Sequence, residues 1–564
     1  MRQTCWIAIV PLILGCGPDR GADLSPPPYP SEAEFSTAEL AAAELITEAS
    51  IRAPIAELAN DRYEGRGPGS AGDAATRAYL AERLRSAGFR PAMPDGGWEQ
   101  AFTLVGVNTA QPGTWTFEGG DEPLVLDQGS DFIVSSGVQA QRAQVEDAEV
   151  VFVGFGIQAP EYEWDDYKGA DLTGKLLLML NNDPDWDPDL FEGDTRLYYG
   201  RWTYKYEIAA SQGAAGAIII HTTPSAGYPW QVVQTSWSGE QFRLPVQSEA
   251  SLQAAAWVTE SAARRLLSAS GHDLDELTAA ARSRDFTPVP LQLNTSIQLR
   301  NALSEISTAN VLGMLDGSDP ELADEIVIYM AHHDHLGVAE DGEGEDLIYN
   351  GARDNASGVG MVASIASALG QLSPAPRRSI LVAFVGAEEQ GLLGSEYFAN
   401  HPIVPAGKIA AAINFDAANI WGPTRDISFI GRGKSDLDAV AAAVGRFQER
   451  TVEPDQFPDR GYYYRSDQFS LAKIGVPAMY LKGGTEHLGR PPGWGEEQLV
   501  AYESEHYHQP SDELTAAWDF GGLVQDARFG YFAGLIIAGE GHFPAWREGD
   551  EFEAARLQAI AAVE

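Results

Sequence analysis

Between Tyr329 and Val338 the chain reads YMAHHDHLGV, placing His332, His333, Asp334 and His335 in succession at the end of an apolar run. Histidine is scarce, with ten in 564 residues. Acidic residues follow other apolar runs in the same way: Asp354 in YNGARDNASG, Glu388 and Glu389 after RSILVAFVGA, and Asp416 after AAAINF. Carboxylates gathered in one place repel each other unless they are protonated or bound to a cation. Neutral imidazole is a metal ligand, so the mixture points to a metal site. A His and Asp/Glu set without thiolate suits catalytic Zn²⁺, with Mn²⁺ and Co²⁺ as lesser candidates. One zinc ion needs three protein ligands and an open position. More candidates than that are present, which favours two ions sharing a bridging carboxylate.

These residues must be brought together by elements that precede them. EIVIYMA, SILVAFV, AAAINF and AMYL are apolar runs of the type found in strands covered on both faces, and GVGMVASIASALGQL between the first two has helical spacing. Alternating strands and helices predict an α/β sandwich, in which ligand-binding residues converge beyond the carboxyl ends of the strands. Toward the N-terminus, Ala and Leu recur at helical spacing from Thr37 to Leu58. A second helix is expected to begin near Ser70, bury Leu80 and Leu84 and stop near Gly88. From Val105 to Leu299 short β-rich segments such as AEVVFVGFGI, KLLLMLNND and AAGAIIIHTT predominate, which predicts a separate, mainly β insertion.

The bulk composition narrows the function classes. A formal net charge of -43 repels phosphate backbones, so nucleic acid is excluded as a partner. The two cysteines are Cys5 and Cys16, inside an opening MRQTCWIAIVPLILGC that is too short to span a bilayer and reads as an export signal. Ile13-Leu14-Gly15-Cys16 resembles a bacterial lipobox, which implies cleavage before Cys16 and membrane attachment through a lipid on its thiol. The expected location is exported, lipid-anchored and facing the periplasm, or extracellular. The next segment, rich in Pro, Gly and charge, reads as a flexible spacer.

AHHDHLG, NGARDNASG, GAEEQGLLGS, INFDAAN and YHQPSDEL, in this order, resemble the motif set of the co-catalytic di-zinc aminopeptidase family. That family takes in bacterial leucine-type aminopeptidases, glutamate carboxypeptidases and transferrin-receptor-like proteins. PEYEWDDYKGADLTGKLLLMLNNDP and KYEIAASQGAAGAIIIH resemble the protease-associated (PA) domain that some members carry as an insertion.

The resemblance implies a zinc exopeptidase fold, a mixed sheet sandwiched by helices. Its expected divisions are a signal peptide at 1–15, a linker at 16–36, a peptidase domain at 37–104 and 300–546, a PA-like insertion at 105–299 and a C-terminal tail at 547–564. It implies two Zn²⁺ per chain held by His332, Asp354, Glu389, Asp416 and His508, with Asp354 bridging, Asp334 orienting His332 and Glu388 as general base. Tyr463 is the implied oxyanion or substrate contact, and peptides are the implied substrates. Many members read Ser-Asp-His where this chain has Gln468. His333 is expected to point away from the site and His335 to line the loop without a metal role. Besides an aminopeptidase, three alternatives stand on the same scaffold: a carboxypeptidase of the glutamate carboxypeptidase type, a glutaminyl cyclase-like enzyme and a metal-free binding protein. Oligomeric state is not legible in the sequence.

Overall fold

The computed structural model describes residues 29–120, 122–188, 190–246, 251–339 and 346–563. The expected signal peptide, Cys16 and most of the expected linker lie outside them. Among the described residues no helix is long and apolar enough to cross a membrane.

The four apolar runs form the centre of a mixed sheet. Ile326–His332 lies between Ser379–Val385 and Ile409–Phe415 and runs parallel to both. Ala478–Gly483 continues the sheet parallel to Ile409–Phe415, and Asp426–Ile430 then pairs with it antiparallel. Val327, Tyr329 and Ala331 face one core while Ile326, Ile328 and Met330 face the other, the two-residue period of a strand apolar on both sides. Helices Glu48–Leu58, Gly358–Leu369 and Gly521–Gly539 cover the first face, and Leu393–Asn400 and Gln468–Lys473 cover the second. Each Val, Leu or Ile buried there contributes roughly 1.5–3 kcal/mol. This is the α/β sandwich that the sequence predicts.

The N-terminal helices follow their caps. Thr47 accepts from the Ser50 N–H and divides the Thr37–Leu58 region into Thr37–Ala43 and Glu48–Leu58. Ser70 caps Ala71–Ser86 through the Asp73 N–H, with Leu80 and Leu84 buried.

In the inserted unit the same sheet continues through Arg142–Phe152, Leu176–Leu180, Gly216–His221 and Ala254–Thr259, parallel neighbours in that order. Parallel pairing needs a crossover, and helix Trp202–Ser211 supplies the one between Leu176–Leu180 and Gly216–His221. The two units are not joined by loops. Glu99–Ala110 pairs with residues 300–311 of the single long strand Val289–Leu315, whose earlier part, 289–300, pairs with Arg142–Phe152 and whose end pairs with Ser379–Val385. The sequence-based boundaries at 104/105 and 299/300 therefore fall inside continuous strands.

Two further expectations need correction. Residues 547–563 are not a loose tail. They contain helix Glu553–Ala561, whose buried Arg556 donates to Ile409 O, Ala410 O and Pro544 O at 2.8, 3.1 and 2.7 Å. The end of the expected linker is also docked: Tyr29 is buried, with its ring edge-on to His542 at 5.2 Å. In EAARLQAIA the inward residue is the arginine while Leu557 is exposed, so its apolar residues do not mark the packed face, and the Pro-rich approach to Tyr29 has no periodic apolar pattern.

Candidate metal centre

Four of the acidic or imidazole side chains singled out in the sequence sit at or just beyond the ends of strands of the central sheet, while His508 lies beyond helix Trp494–Glu505. His332 is the last residue of Ile326–His332, and Asp416 directly follows Ile409–Phe415. Glu388 and Glu389 lie three and four residues beyond Ser379–Val385. Asp354 belongs to the irregular turn Ala352–Ser357 that leads into helix Gly358–Leu369. That turn is fixed from outside, because Asp512 accepts from the N–H groups of both Arg353 and Asp354 at 2.9 and 3.0 Å. Gly351, with φ of +53°, precedes it at a point where a Cβ would collide with Asp354 O and the His335 ring.

The geometry is that of two groups sharing one carboxylate. Asp354 Oδ1 is 3.2 Å from His332 Nε2, which is 3.5 Å from Asp416 Oδ1. Asp354 Oδ2 is 3.3 Å from His508 Nε2, which is 3.0 Å from Glu389 Oε2. The two oxygens of Asp354 thus face different partners. Glu388 stands to one side, its Oε2 4.0 Å from His332 Nε2.

A second layer of contacts aims these groups. The Asp334 carboxylate accepts the backbone N–H groups of Glu388 and Glu389 at 3.1 and 3.3 Å, while its carbonyl oxygen is 3.3 Å from His332 Nδ1. Ser466 and Tyr480 donate to Asp416 Oδ2 at 2.7 and 3.2 Å. Deeper still, buried Arg66 donates to the carbonyls of Leu58, His333, Asn350 and Gly351.

Burial and charge pull these groups apart electrostatically. Burial pushes the Glu388 carboxyl well above its ordinary value, and the neighbouring Glu389 and Asp416 push the same way. Burial would also raise Glu389, but His508 and His335 outweigh it and hold that carboxyl down to about 2. For His508 burial favours the neutral ring, yet Glu389 and Asp354 raise it to about 10. Protons on imidazoles are therefore what balance the carboxylates when no cation does. Buried Nε2 atoms of His332, His335 and His508 have no hydrogen-bond partner. Ligand atoms of His332, Asp354 and Asp416 lie close enough together for one ion, as do those of His335, Asp354 and Glu389. Nitrogen and oxygen donors without sulfur, with a bridging carboxylate, fit zinc.

The residues proposed from the sequence separate into two sets. His332, Asp354, Glu388, Glu389, Asp416 and His508 converge, with Asp334 behind them. Tyr463 does not join them: it is buried beside Phe552 and Lys434 and does not line the cavity that opens on the cluster. Its neighbours in the tyrosine run are separated by the tight turn Tyr462–Tyr464, which sends Tyr462 to the cavity instead. His333 packs inward, Nε2 3.1 Å from Ala309 O. His335 departs from the expectation of a passive loop residue, with Nδ1 2.6 Å from Glu389 Oε1. Gln468 is buried and structural, accepting from Asn414 at 2.7 Å and donating to Tyr463 O at 2.6 Å. Sequence reasoning missed Asp512, Ser466 and Tyr480. Asp512 lies four residues after His508 in YHQPSDEL, and Ser466 lies two residues before Gln468, so both stood inside stretches already singled out.

Residues 310–526 match the profile described as Peptidase family M28. The chain is 26% identical over 169 residues to leupeptin-inactivating enzyme 1 of Streptomyces exfoliatus, covering 29% of this chain and 37% of that protein. It is 29% identical over 182 residues to the probable lipoprotein aminopeptidase LpqL of Mycobacterium tuberculosis, covering 29% of this chain and 35% of the relative. The chain thus spans little more than a third of the length of these curated relatives. Among solved structures, the aminopeptidase from Aneurinibacillus sp. strain AM-1 has a similar fold, with a TM-score of 0.50, 18% identity and coverage of 90% of this chain and 97% of that one.

Proposed function

With residues 310–526 belonging to peptidase family M28, we propose that the protein is a zinc-dependent exopeptidase, and within that class an aminopeptidase that releases N-terminal residues from peptides. The observation that carries this reading is the division of the Asp354 carboxylate, one oxygen toward His332 and Asp416, the other toward His508 and Glu389. His332 and Asp416 would hold one Zn²⁺, Glu389 and His508 the other, and Asp354 both. Zinc supplies Lewis acidity to the scissile carbonyl and to the attacking water.

The chain's own groups perform the proton chemistry. Glu388 is half-buried beside the ligands without sharing their shortest contacts, and its raised affinity for a proton suits a group that must take one from water and hand it to the leaving amine. Asp334 fixes the Glu388–Glu389 backbone, so the base and a ligand keep one spacing. Ser466 and Tyr480 occupy one oxygen of Asp416 and leave the other facing His332.

Release of amino-terminal residues is favoured by the acidic balance of the chain, which suits an α-ammonium group, and by the likeness to LpqL, described as a probable lipoprotein aminopeptidase, and to the Aneurinibacillus aminopeptidase. The test is zinc analysis of the purified protein with paired panels of aminoacyl and carboxyl-terminal chromogenic substrates. Hydrolysis of the first panel, abolished by a chelator and restored by zinc, is the expected result. Hydrolysis of only the second would make it a carboxypeptidase, and cyclisation of glutaminyl peptides without hydrolysis would make it a cyclase. Export and anchoring through a lipid on Cys16 belong to the same proposal. Cys16→Ser is then expected to move the protein from the membrane fraction to the soluble one.

A further inference from the structure

The cavity that opens on the metal centre encloses about 1310 Å³ and takes its walls from both units. An enzyme acting at a free amino terminus has one residue on the acyl side of the scissile bond. The rest of so large a space receives the part of the substrate that leaves.

Five cations line that space: Arg201, Arg353, Arg460, Arg465 and Lys482. Two are satisfied by the protein. Arg353 donates to Ala418 O and Ala417 O and lies over the rings of Trp421 and Tyr502, while Arg460 is paired with Glu503. For Arg201, Arg465 and Lys482 no hydrogen bond or ion pair is made by the side chain to any described residue. Asp455, a carboxylate of the same wall, accepts from the Phe457 N–H and forms no ion pair with any of the three.

The three cations come from different elements and line the same cavity. Lys482, on strand Ala478–Gly483, stands 4.7 Å from the centroid of the Tyr462 ring, and Arg465 stands 5.5 Å from the same centroid. Arg201 approaches from the inserted unit, immediately before helix Trp202–Ser211, and its Nε is buried without a hydrogen-bond partner. Burial lowers the Arg201 guanidinium to about 9, and Arg465 is the charged neighbour that lowers it most. Arg465 is exposed and Arg201 and Lys482 are half-buried, so all three are accessible from the cavity, while Glu503 favours the charge of Arg465, and Asp416 and Glu503 that of Lys482, without forming an ion pair. Guanidinium groups bind carboxylate through paired N–H donors, which a lone ammonium does not match.

We propose that Arg201, Arg465 and Lys482 form a subsite for a carboxylate of the substrate, on the leaving side of the scissile bond. Because the subsite lies within the same cavity as the metal centre, the carboxyl terminus of a short peptide reaches it, and so does an acidic side chain close to the scissile bond. This substrate class rests on the peptidase reading above. The inserted unit then contributes to specificity through Arg201, besides walling the cavity.

The zinc-loaded full chain is assayed with two substrate pairs: Leu-Gly-Gly as free acid against its carboxyl-terminal amide, and Leu-Glu amide against Leu-Gln amide. At least one pair is expected to favour the carboxylate by tenfold or more in kcat/KM, about the factor of one charge-assisted hydrogen bond. The ratio is expected to fall toward one in Arg201→Ala and in Arg465→Ala, with Arg465→Lys retaining part of it. Preference in the first pair assigns the carboxylate to the chain terminus, and preference in the second alone assigns it to a side chain. Ratios near one in both pairs, or ratios unchanged in both alanine variants, overturn the subsite. Were no peptide hydrolysed, the peptidase reading would fail by itself. Titration calorimetry of Leu-Gly-Gly acid and amide against wild type and Arg465→Ala then decides the subsite, equal affinities overturning it.

Discussion

His335 Nδ1 lies 2.6 Å from Glu389 Oε1, and the other oxygen of that carboxylate lies 3.0 Å from His508 Nε2. Glu389 is therefore held between two imidazoles from opposite ends of the domain sequence. Removing one of them frees the carboxylate to turn. His335→Ala is expected to weaken zinc binding about 10–100-fold, the usual cost of losing a group that orients a ligand. Competition against a chromogenic chelator measures it, and wild-type affinity would remove His335 from the centre.

Glu388 gives the opposite signature. Glu388→Gln keeps the shape of the side chain and removes the base, so zinc content is expected to stay at the wild-type level while kcat/KM falls roughly 10²–10⁴-fold. Retained turnover would assign proton transfer to another group.

Arg66 is a prediction about stability. It is buried and is the donor to four backbone carbonyls, those of Leu58, His333, Asn350 and Gly351, which lie beneath the loops carrying His335 and Asp354. Arg66→Met leaves these acceptors unpaired at about 1–3 kcal/mol each before relaxation, so a loss on the order of 3–5 kcal/mol is expected. Chemical denaturation checks it, and a loss below about 1 kcal/mol would show that water takes over the carbonyls.

His221 predicts a pH dependence remote from the metal centre. Burial lowers its pKa from the ordinary 6.5, although Nε2 is 3.0 Å from Tyr228 O. A histidine with a depressed folded pKa takes up its proton first in the unfolded chain. Its contribution is complete above about pH 6.5 and is lost as pH falls toward the folded value. Compared with the wild type, His221→Leu should therefore gain in Tm as pH is lowered from 7 to 5. A Tm difference independent of pH would contradict the burial of a neutral ring.

The strands that carry His332, Glu388, Glu389 and Asp416 were legible because each is apolar on both faces and ends abruptly in charge. Helix Ala71–Ser86 was legible from its cap and its two inward leucines. The role of His335 was hidden for a geometric reason: the strand ends at His332, and the alternation that separates His332 from His333 says nothing about the loop beyond. Asp512 and Ser466 act through single hydrogen bonds across long sequence separations, which no local pattern records. The 27-residue strand Val289–Leu315 was divided because its two ends lie in different environments, the first alternating between exposed and buried and the last buried throughout. The change of pattern lies within one strand that runs through both units.

That strand has a mechanical meaning for access to the metal centre. Together with Glu99–Ala110 it joins the wall bearing Arg201 to the sheet bearing the ligands through a ladder paired at each position from 99 to 110. A loop joint swivels freely, whereas a two-stranded ribbon resists torque and stores elastic energy when it is bent. The wall and the sheet bearing the candidate ligands are therefore joined by continuous backbone hydrogen bonding, and moving one against the other has to bend that ladder.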